Sequence, residues 1–225
     1  RSASINGLSD IVMELRYTFS HATLTAINSM KNKVIFFDAD GVILKGGYRF
    51  SDELVKQFGL KAKTMQPFFL GPFLGCAKGQ ADLKEELAKV IDTWGWHGTV
   101  DELIDFWLTE GTVFDETNLE LVRKLSEKGI HCFISTHQEK YRGEFIKRKV
   151  GSGNPFDDVY YSEEMGCGKQ DPHFYEVLFE RVKNITTDKS EILLIDDLQS
   201  VIELAQKFGF DTIFYQSPDD VRELK

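Results

Sequence analysis

From residue 33 onward, hydrophobic and polar positions follow two alternating patterns. Short apolar runs, Val34-Ile35-Phe36-Phe37, His131-Cys132-Phe133-Ile134, Ile192-Leu193-Leu194-Ile195 and Thr212-Ile213-Phe214, read as strands buried on both faces. A short extended piece is predicted over 158–161. Between them, apolar residues recur three and four positions apart behind helix-start signals. Ser51 with Asp52 and Glu53 opens a helix over Leu54, Val55 and Phe58. Asp82 with Glu85 and Thr99 with Glu102 read as capping boxes, the first ahead of Leu83, Leu87, Val90 and Ile91, the second ahead of Leu103, Phe106 and Trp107. Thr117 and Glu120 cap a helix ending near Gly129. Further helices are predicted from Glu139 to Lys149, from Asp171-Pro172 with proline at the first position, through Val201, Leu204, Ala205 and Phe208, and after Ser217-Pro218.

Residues 48–112 show no strand-like alternation, so an all-helical block interrupts the βαβ rhythm. The predicted fold class is α/β: a Rossmann-like parallel sheet core with helices on both faces, formed by residues 33–47 and 113–225, with an inserted all-helical cap over 48–112. Residues 1–32 carry only weak amphipathic stretches and no secretory apolar core. They read as a leader or extension, with translation expected to begin at Met30.

The length of 225 residues exceeds the roughly 150 typical of one domain. The inserted block accounts for the surplus better than two domains in series. With 42% hydrophobic and 28% charged residues the chain can bury a core, which excludes disordered, collagenous and coiled-coil classes. No uninterrupted apolar run is long enough to span a membrane. A net charge of −9 without a local basic stripe excludes nucleic acid as the expected partner. Cys76, Cys132 and Cys167 form neither a disulfide framework nor a zinc pair, and a reducing cytoplasm is the expected setting.

Three of the predicted strands end in oxygen-bearing residues: Asp38-Ala39-Asp40-Gly41, Ser135-Thr136 and Asp196-Asp197. Ligands of open parallel sheets sit beyond the carboxyl ends of the strands, so these groups are expected to converge. Four carboxylates without a fixed positive charge among them would repel one another. A divalent cation resolves the repulsion, and carboxylate with carbonyl oxygen suits the hard ion Mg²⁺. Lys169, ahead of the Asp171-Pro172 helix start, can add a further positive charge.

These residues resemble the four motifs of the haloacid dehalogenase (HAD) superfamily, in order. A hydrophobic strand followed by DxDG is matched by Val34 to Val42, a strand ending in Ser or Thr by Ser135, a Lys before a helix by Lys169-Gln170-Asp171-Pro172, and a strand ending in two aspartates by Asp196-Asp197. The resemblance covers roughly residues 33–225. It is strongest to phosphatases with a small helical cap, the group of bacterial sugar-phosphate phosphatases and the amino-terminal phosphatase domain of soluble epoxide hydrolase. The chain departs from that group at Gln170, where Pro is commoner, at Thr136, where Asn is frequent, and at Val201, where Asn is often found.

The resemblance implies a Mg²⁺-dependent phosphomonoesterase acting on a small phosphorylated metabolite, with sugar phosphates the leading class. Asp38 is the implied nucleophile. Asp40 is the implied acid and base, and is expected to be held protonated at first by a partly desolvated setting. Asp38, the Asp40 carbonyl and Asp197 are the implied metal ligands, with Asp196 acting directly or through water. Ser135, with Thr136 beside it, and Lys169 are implied at the phosphate. Phosphoglucomutase-type transfer on the same site is the first alternative and a non-catalytic binding module the second. Haloacid dehalogenase chemistry is disfavoured, because that branch lacks the second aspartate of the first motif. His137 and Lys45 are read as ordinary loop residues, and Phe68, Phe69, Phe73, Trp94 and Trp96 as packing within the helical block.

Overall fold

The computed structural model describes residues 31–45, 50–151, 153 and 155–224. Residues 1–30 of the leader expected over 1–32, and residues 46–49, lie outside the described residues. Five parallel strands, β1 (Val34–Phe37), β2 (His131–Thr136), β3 (Asp158–Tyr161), β4 (Ile192–Asp196) and β5 (Asp211–Phe214), form one sheet in the order β3-β2-β1-β4-β5. The chain moves outward from β1 through β2 and β3, then returns to lay β4 on the other side of β1. The strand order therefore reverses between β1 and β4, the position at which open α/β sheets form a crevice.

Side chains alternate across the sheet, as strand geometry requires. Ile35 and Phe37 point into a core shared with Leu119, Val122 and Leu125 of α7 (Glu116–Glu127) and with Ile146 and Val150 of α8 (Lys140–Val150). Val34 and Phe36 point into the opposite core, built with Phe174, Tyr175 and Leu178 of α10 (Pro172–Arg181) and Val201, Ile202 and Ala205 of α11 (Gln199–Phe208). Between these last helices in sequence and β3 lies the single turn α9 (Ser162–Met165). The fold class expected from the pattern is the one observed.

Between β1 and β2 the described residues hold α1 (Phe50–Phe58), α2 (Ala62–Phe69), α3 (Pro72–Cys76), α4 (Leu83–Ala88), α5 (Ile91–Trp94) and α6 (Val100–Glu110). These helices bury a separate apolar cluster that includes Leu54, Met65, Phe68, Leu87, Trp94, Leu103 and Trp107. The chain leaves and re-enters the core through two adjacent segments: Lys45 N donates to Val113 O at 2.9 Å and Asp115 N to Ile43 O at 2.8 Å. No helix among the described residues is long and apolar enough to cross a membrane.

Local expectations fail in several places. The helix predicted over Leu83 to Ile91 is interrupted after Ala88, and a second short helix starts at Ile91. The cap of α7 is Asp115, whose carboxylate accepts from Thr117 N and Asn118 N, so the helix begins before the predicted Thr117. After Ser217-Pro218 only a 3₁₀ turn at Arg222–Leu224 forms, because Asp220 accepts from Gln216 N and Ser217 N and ties the chain into a turn. The capping box of Thr99 and Glu102 is present as predicted, whereas at Asp82 only half of the predicted box forms, its carboxylate accepting from Lys84 N and Glu85 N.

Gly143 sets how closely α8 approaches the sheet: a Cβ there would lie 2.4 Å from Cδ2 of the Tyr161 ring. Alanine at this helical position gains up to about 1 kcal/mol in helix propensity. Overpacking against a buried ring costs about 1–3 kcal/mol, and here it wins. Gly143→Ala is therefore expected to lower the urea midpoint of unfolding without changing the slope.

Candidate active site

β1 delivers Asp38 and Asp40 to the carboxyl end of the sheet, and β4 delivers Asp196 and Asp197 beside them. Asp38 N donates to Ile195 O at 2.8 Å, which extends the ladder between the two central strands up to the first aspartate. Ligand oxygens of Asp38, Asp196 and Asp197 lie within 4.8 Å of one another, a spacing that can hold one metal ion. Asp38 and Asp196 are buried, while Asp197 is exposed.

The loop after Asp40 must turn sharply to let Asp197 in. Gly41 has φ +86°, and a Cβ there would sit 2.5 Å from Asp197 Oδ2, so glycine is required both by conformation and by space. Leu44 N closes the turn on Ala39 O at 2.7 Å. Asn118, buried in α7, donates through Nδ2 to Val42 O at 2.6 Å and to the Tyr215 hydroxyl at 2.7 Å, fixing the turn against the end of β5.

Lys169 reaches the same place from the loop before α10. Its ammonium donates to Asp38 Oδ1 at 2.5 Å and Asp196 Oδ2 at 2.6 Å, and its side chain is 5% exposed. The fully buried Tyr175 holds this loop by donating to Lys169 O at 2.9 Å. Burial pulls the ammonium down, and the two carboxylates outweigh it and hold Lys169 above the ordinary lysine value. Burial pushes the Asp38 carboxyl up to about 7; the Lys169 charge opposes that shift, and the charges of Asp196 and Asp40 add to it. Asp197 is also raised, by burial and then by Asp196. With all three carboxylates ionised, one ammonium leaves a formal charge of −2, and beside burial the raised Asp38 and Asp197 reflect that excess of negative charge.

Ser135 and Thr136 end β2 next to β1. Ser135 is fully buried and its Oγ has no hydrogen-bond partner among the described residues. A buried hydroxyl is rarely left unpaired, which marks this one as available to a ligand. Thr136 Oγ1 instead accepts from Gln138 Nε2 at 3.4 Å. His137 is half-buried beyond Ser135, and its Nδ1 is also unpartnered.

Asp40 differs from the expectation that it is held protonated. Arg142 of α8 grips its carboxylate with two bonds, Nη1 to Oδ2 at 2.7 Å and Nη2 to Oδ1 at 2.6 Å, and Gln138 Nε2 donates to Oδ2 at 2.6 Å. Burial raises the Asp40 carboxyl, but the charge and hydrogen bonds of Arg142, with Gln138, overcome it and hold the group below the usual carboxylate value. The four aspartates are thus not without a fixed cation. Arg142 and Gln138 were missed in sequence because nothing in their spacing marks which side chain of α8 and of the loop before it turns toward β1.

A cavity of about 1090 Å³ opens between the sheet end and the helical block. The core lines it with Asp40, Gly41, Arg142 and Asp197, and the helices with Phe50, Met65, Phe69 and Trp107. Phe68, Trp94 and Trp96 are buried in the block as expected. Phe69 does more than pack, since it also faces the cavity, and Lys45 lies at the same opening.

No curated protein sequence matches the chain. Among solved structures, a HAD family enzyme of Bacteroides thetaiotaomicron, in complex with magnesium and inorganic phosphate, is 21% identical, with a TM-score of 0.68 over 82% of this chain and 94% of that one. The L-2-haloacid dehalogenase of Xanthobacter autotrophicus, with chloropropionic acid covalently bound, is 18% identical, with a TM-score of 0.60 over 84% of this chain and 80% of that one. At these identities the likeness is one of fold. The family model of haloacid dehalogenase-like hydrolases matches residues 32–209, and with that match over most of its length the chain belongs to the haloacid dehalogenase-like hydrolase family.

Proposed function

We propose that the chain is a Mg²⁺-dependent phosphomonoesterase that works through a phosphorylated Asp38. The observation that carries this reading is the buried, unpartnered Ser135 hydroxyl beside a cluster of three carboxylates that share one ammonium, a formal excess that a divalent cation would balance. A phosphoryl group needs both: a donor for one oxygen and neutralisation of the others. The magnesium and phosphate held by the related Bacteroides enzyme support the same assignment.

The donor set fits the ion, since Mg²⁺ prefers carboxylate and carbonyl oxygen. Asp38, Asp197 and the backbone carbonyl of Asp40 would hold it, with Asp196 acting directly or through water. When bound, it supplies charge neutralisation on the phosphoryl oxygens. The remaining work falls to the chain. Asp38 attacks phosphorus and is freed again when water displaces the phosphoryl group. Ser135 donates to a phosphoryl oxygen at the end of β2, with Thr136 holding the adjoining turn. Lys169 balances nucleophile and phosphate.

Asp40 is the implied acid and base; ionised as Arg142 and Gln138 hold it, it is set for the second of these tasks, taking a proton from the attacking water, a role worth about 10²–10⁴-fold. Its presence separates this reading from dehalogenation. A halide departs without a proton, so the acid half of this role has no counterpart in dehalogenation, whereas release of an alkoxide needs it. We further propose that residues 48–112 act as a cap over the core formed by 33–47 and 113–225. The substrate is a small phosphorylated metabolite, of which sugar phosphates are the leading class, seated in the cavity between the two.

Two outcomes test the proposal. Asp38→Asn keeps the side chain's size and leaves Lys169 paired with Asp196, so the variant is expected to fold. It is expected to lose at least about 10⁴-fold in release of free phosphate from 4-nitrophenyl phosphate, the scale of removing a nucleophile. That assay contains no acceptor, and absence of release by the unaltered chain would point to transfer rather than hydrolysis. Separately, EDTA is expected to abolish turnover and added Mg²⁺ to restore it, whereas Ca²⁺, larger and looser in coordination, restores little.

A further inference from the structure

Asp40 is the proton acceptor in the reaction proposed above, and two buried side chains hold its carboxylate. Arg142 is 6% exposed and Gln138 2% exposed, so both approach from the protein interior. Together they place three donors on the two oxygens: Gln138 Nε2 and Arg142 Nη1 on Oδ2, and Arg142 Nη2 on Oδ1. A carboxylate offers about four acceptor positions. Three are taken, and the one that remains is on Oδ1. The Asp40 side chain is 53% exposed and lines the cavity, so this position is left for a group entering from that side.

Arg142 is itself fixed from two directions. Glu139 caps the first turn of α8 by accepting from Tyr141 N at 2.7 Å and Arg142 N at 2.8 Å. At the far end of the side chain, Nη2 also donates to Gly111 O at 2.6 Å. Gly111 ends α6 and starts the segment that returns from the helical block to the core. The guanidinium thus takes its position from the core helix on one side and from the returning segment on the other.

We propose, on the phosphatase reading above, that Arg142 is a positioning residue for the second half of the reaction. In that half an O–H proton of water passes to Asp40 Oδ1 while the water oxygen bonds to phosphorus. The bond from phosphorus to the Asp38 oxygen breaks, its electron pair returns to the Asp38 carboxylate, and inorganic phosphate is released. The bidentate guanidinium fixes the direction of the remaining acceptor position on Asp40 Oδ1. Orientation of this kind removes the entropy of searching for the reactive geometry. Contact with Gly111 makes that direction depend on where the helical block sits.

The test separates the two half-reactions by rapid mixing of the full chain, loaded with Mg²⁺, with 4-nitrophenyl phosphate, whose nitrophenolate departs without a proton. Arg142→Met keeps the length of the side chain and removes its donors. Formation of the phosphorylated chain is expected to stay within about threefold while its breakdown slows by about 10²-fold, the scale of losing a general base. Nitrophenol then appears in a burst approaching one per chain, and acid quenching traps the phosphorylated species. Arg142→Lys retains the charge and a donor, is expected to recover part of the breakdown rate, and serves if the methionine variant does not fold. In an Asp40→Asn background, Arg142→Met is expected to slow breakdown no further, because the two residues act as one unit. Equal slowing of both half-reactions, or additive losses with Asp40→Asn, overturns the inference and leaves the phosphatase reading standing. Failure of the unaltered chain to release phosphate overturns both.

Discussion

The buried ammonium of Lys169 between Asp38 and Asp196 is the interaction on which the rest of the site depends. Asp38 follows β1 and Asp196 ends β4, so the lysine ties together the two central strands where the strand order reverses. Removing one member of a buried ion pair leaves an uncompensated charge and typically costs about 3–5 kcal/mol. The loop that carries Lys169 is correspondingly well anchored, by the buried Tyr175 hydroxyl and by the Asp171 cap of the following helix. One cation among three carboxylates holds them together without neutralising them. The site keeps its demand for a divalent ion while remaining compact.

Charge in the site is divided into two compartments. Asp38 and Asp196 share Lys169, with Asp197 beside them, whereas Asp40 has a cation of its own in Arg142. The separation matters because Asp38 and Asp40 are only two residues apart and have different tasks in the proposed reaction. Opposite shifts accompany it, Asp38 raised and Asp40 lowered, and each follows from its neighbours rather than from residue type. Two carboxylates in one loop can in this way serve as nucleophile and as proton acceptor.

The helical block meets this arrangement at several points. It walls the cavity with the stacked Phe50 and Trp107, whose ring centroids are 4.6 Å apart. Away from the cavity, the Tyr141 hydroxyl donates to Asp82 Oδ2 at 2.8 Å, and Ser162 Oγ to Ala77 O at 2.6 Å. Core helices and inserted helices are therefore joined by directional bonds as well as by the two connecting segments.

The strands and the placement of Asp38, Asp40, Ser135, Lys169, Asp196 and Asp197 at strand ends or helix starts were legible in the sequence, because they rest on local pattern. An apolar run buried on both faces has few alternatives, and a parallel sheet must bring the ends of its strands to one side. Local pattern was a weaker guide to helix limits: the capping carboxylate of Asp115 and the turn held by Asp220 each displaced an expected boundary by competing for the same backbone groups. What no local pattern contained was the partner of Asp40. Arg142 lies 102 residues away in sequence, on a helix with several cations, and only the packing of α8 against the sheet, close enough to require glycine at 143, selects it. The sequence by itself determined which groups reach the end of the sheet, since strand direction is a local property. Tertiary structure alone decided which charges face one another, because that depends on how helices distant in sequence dock on the sheet.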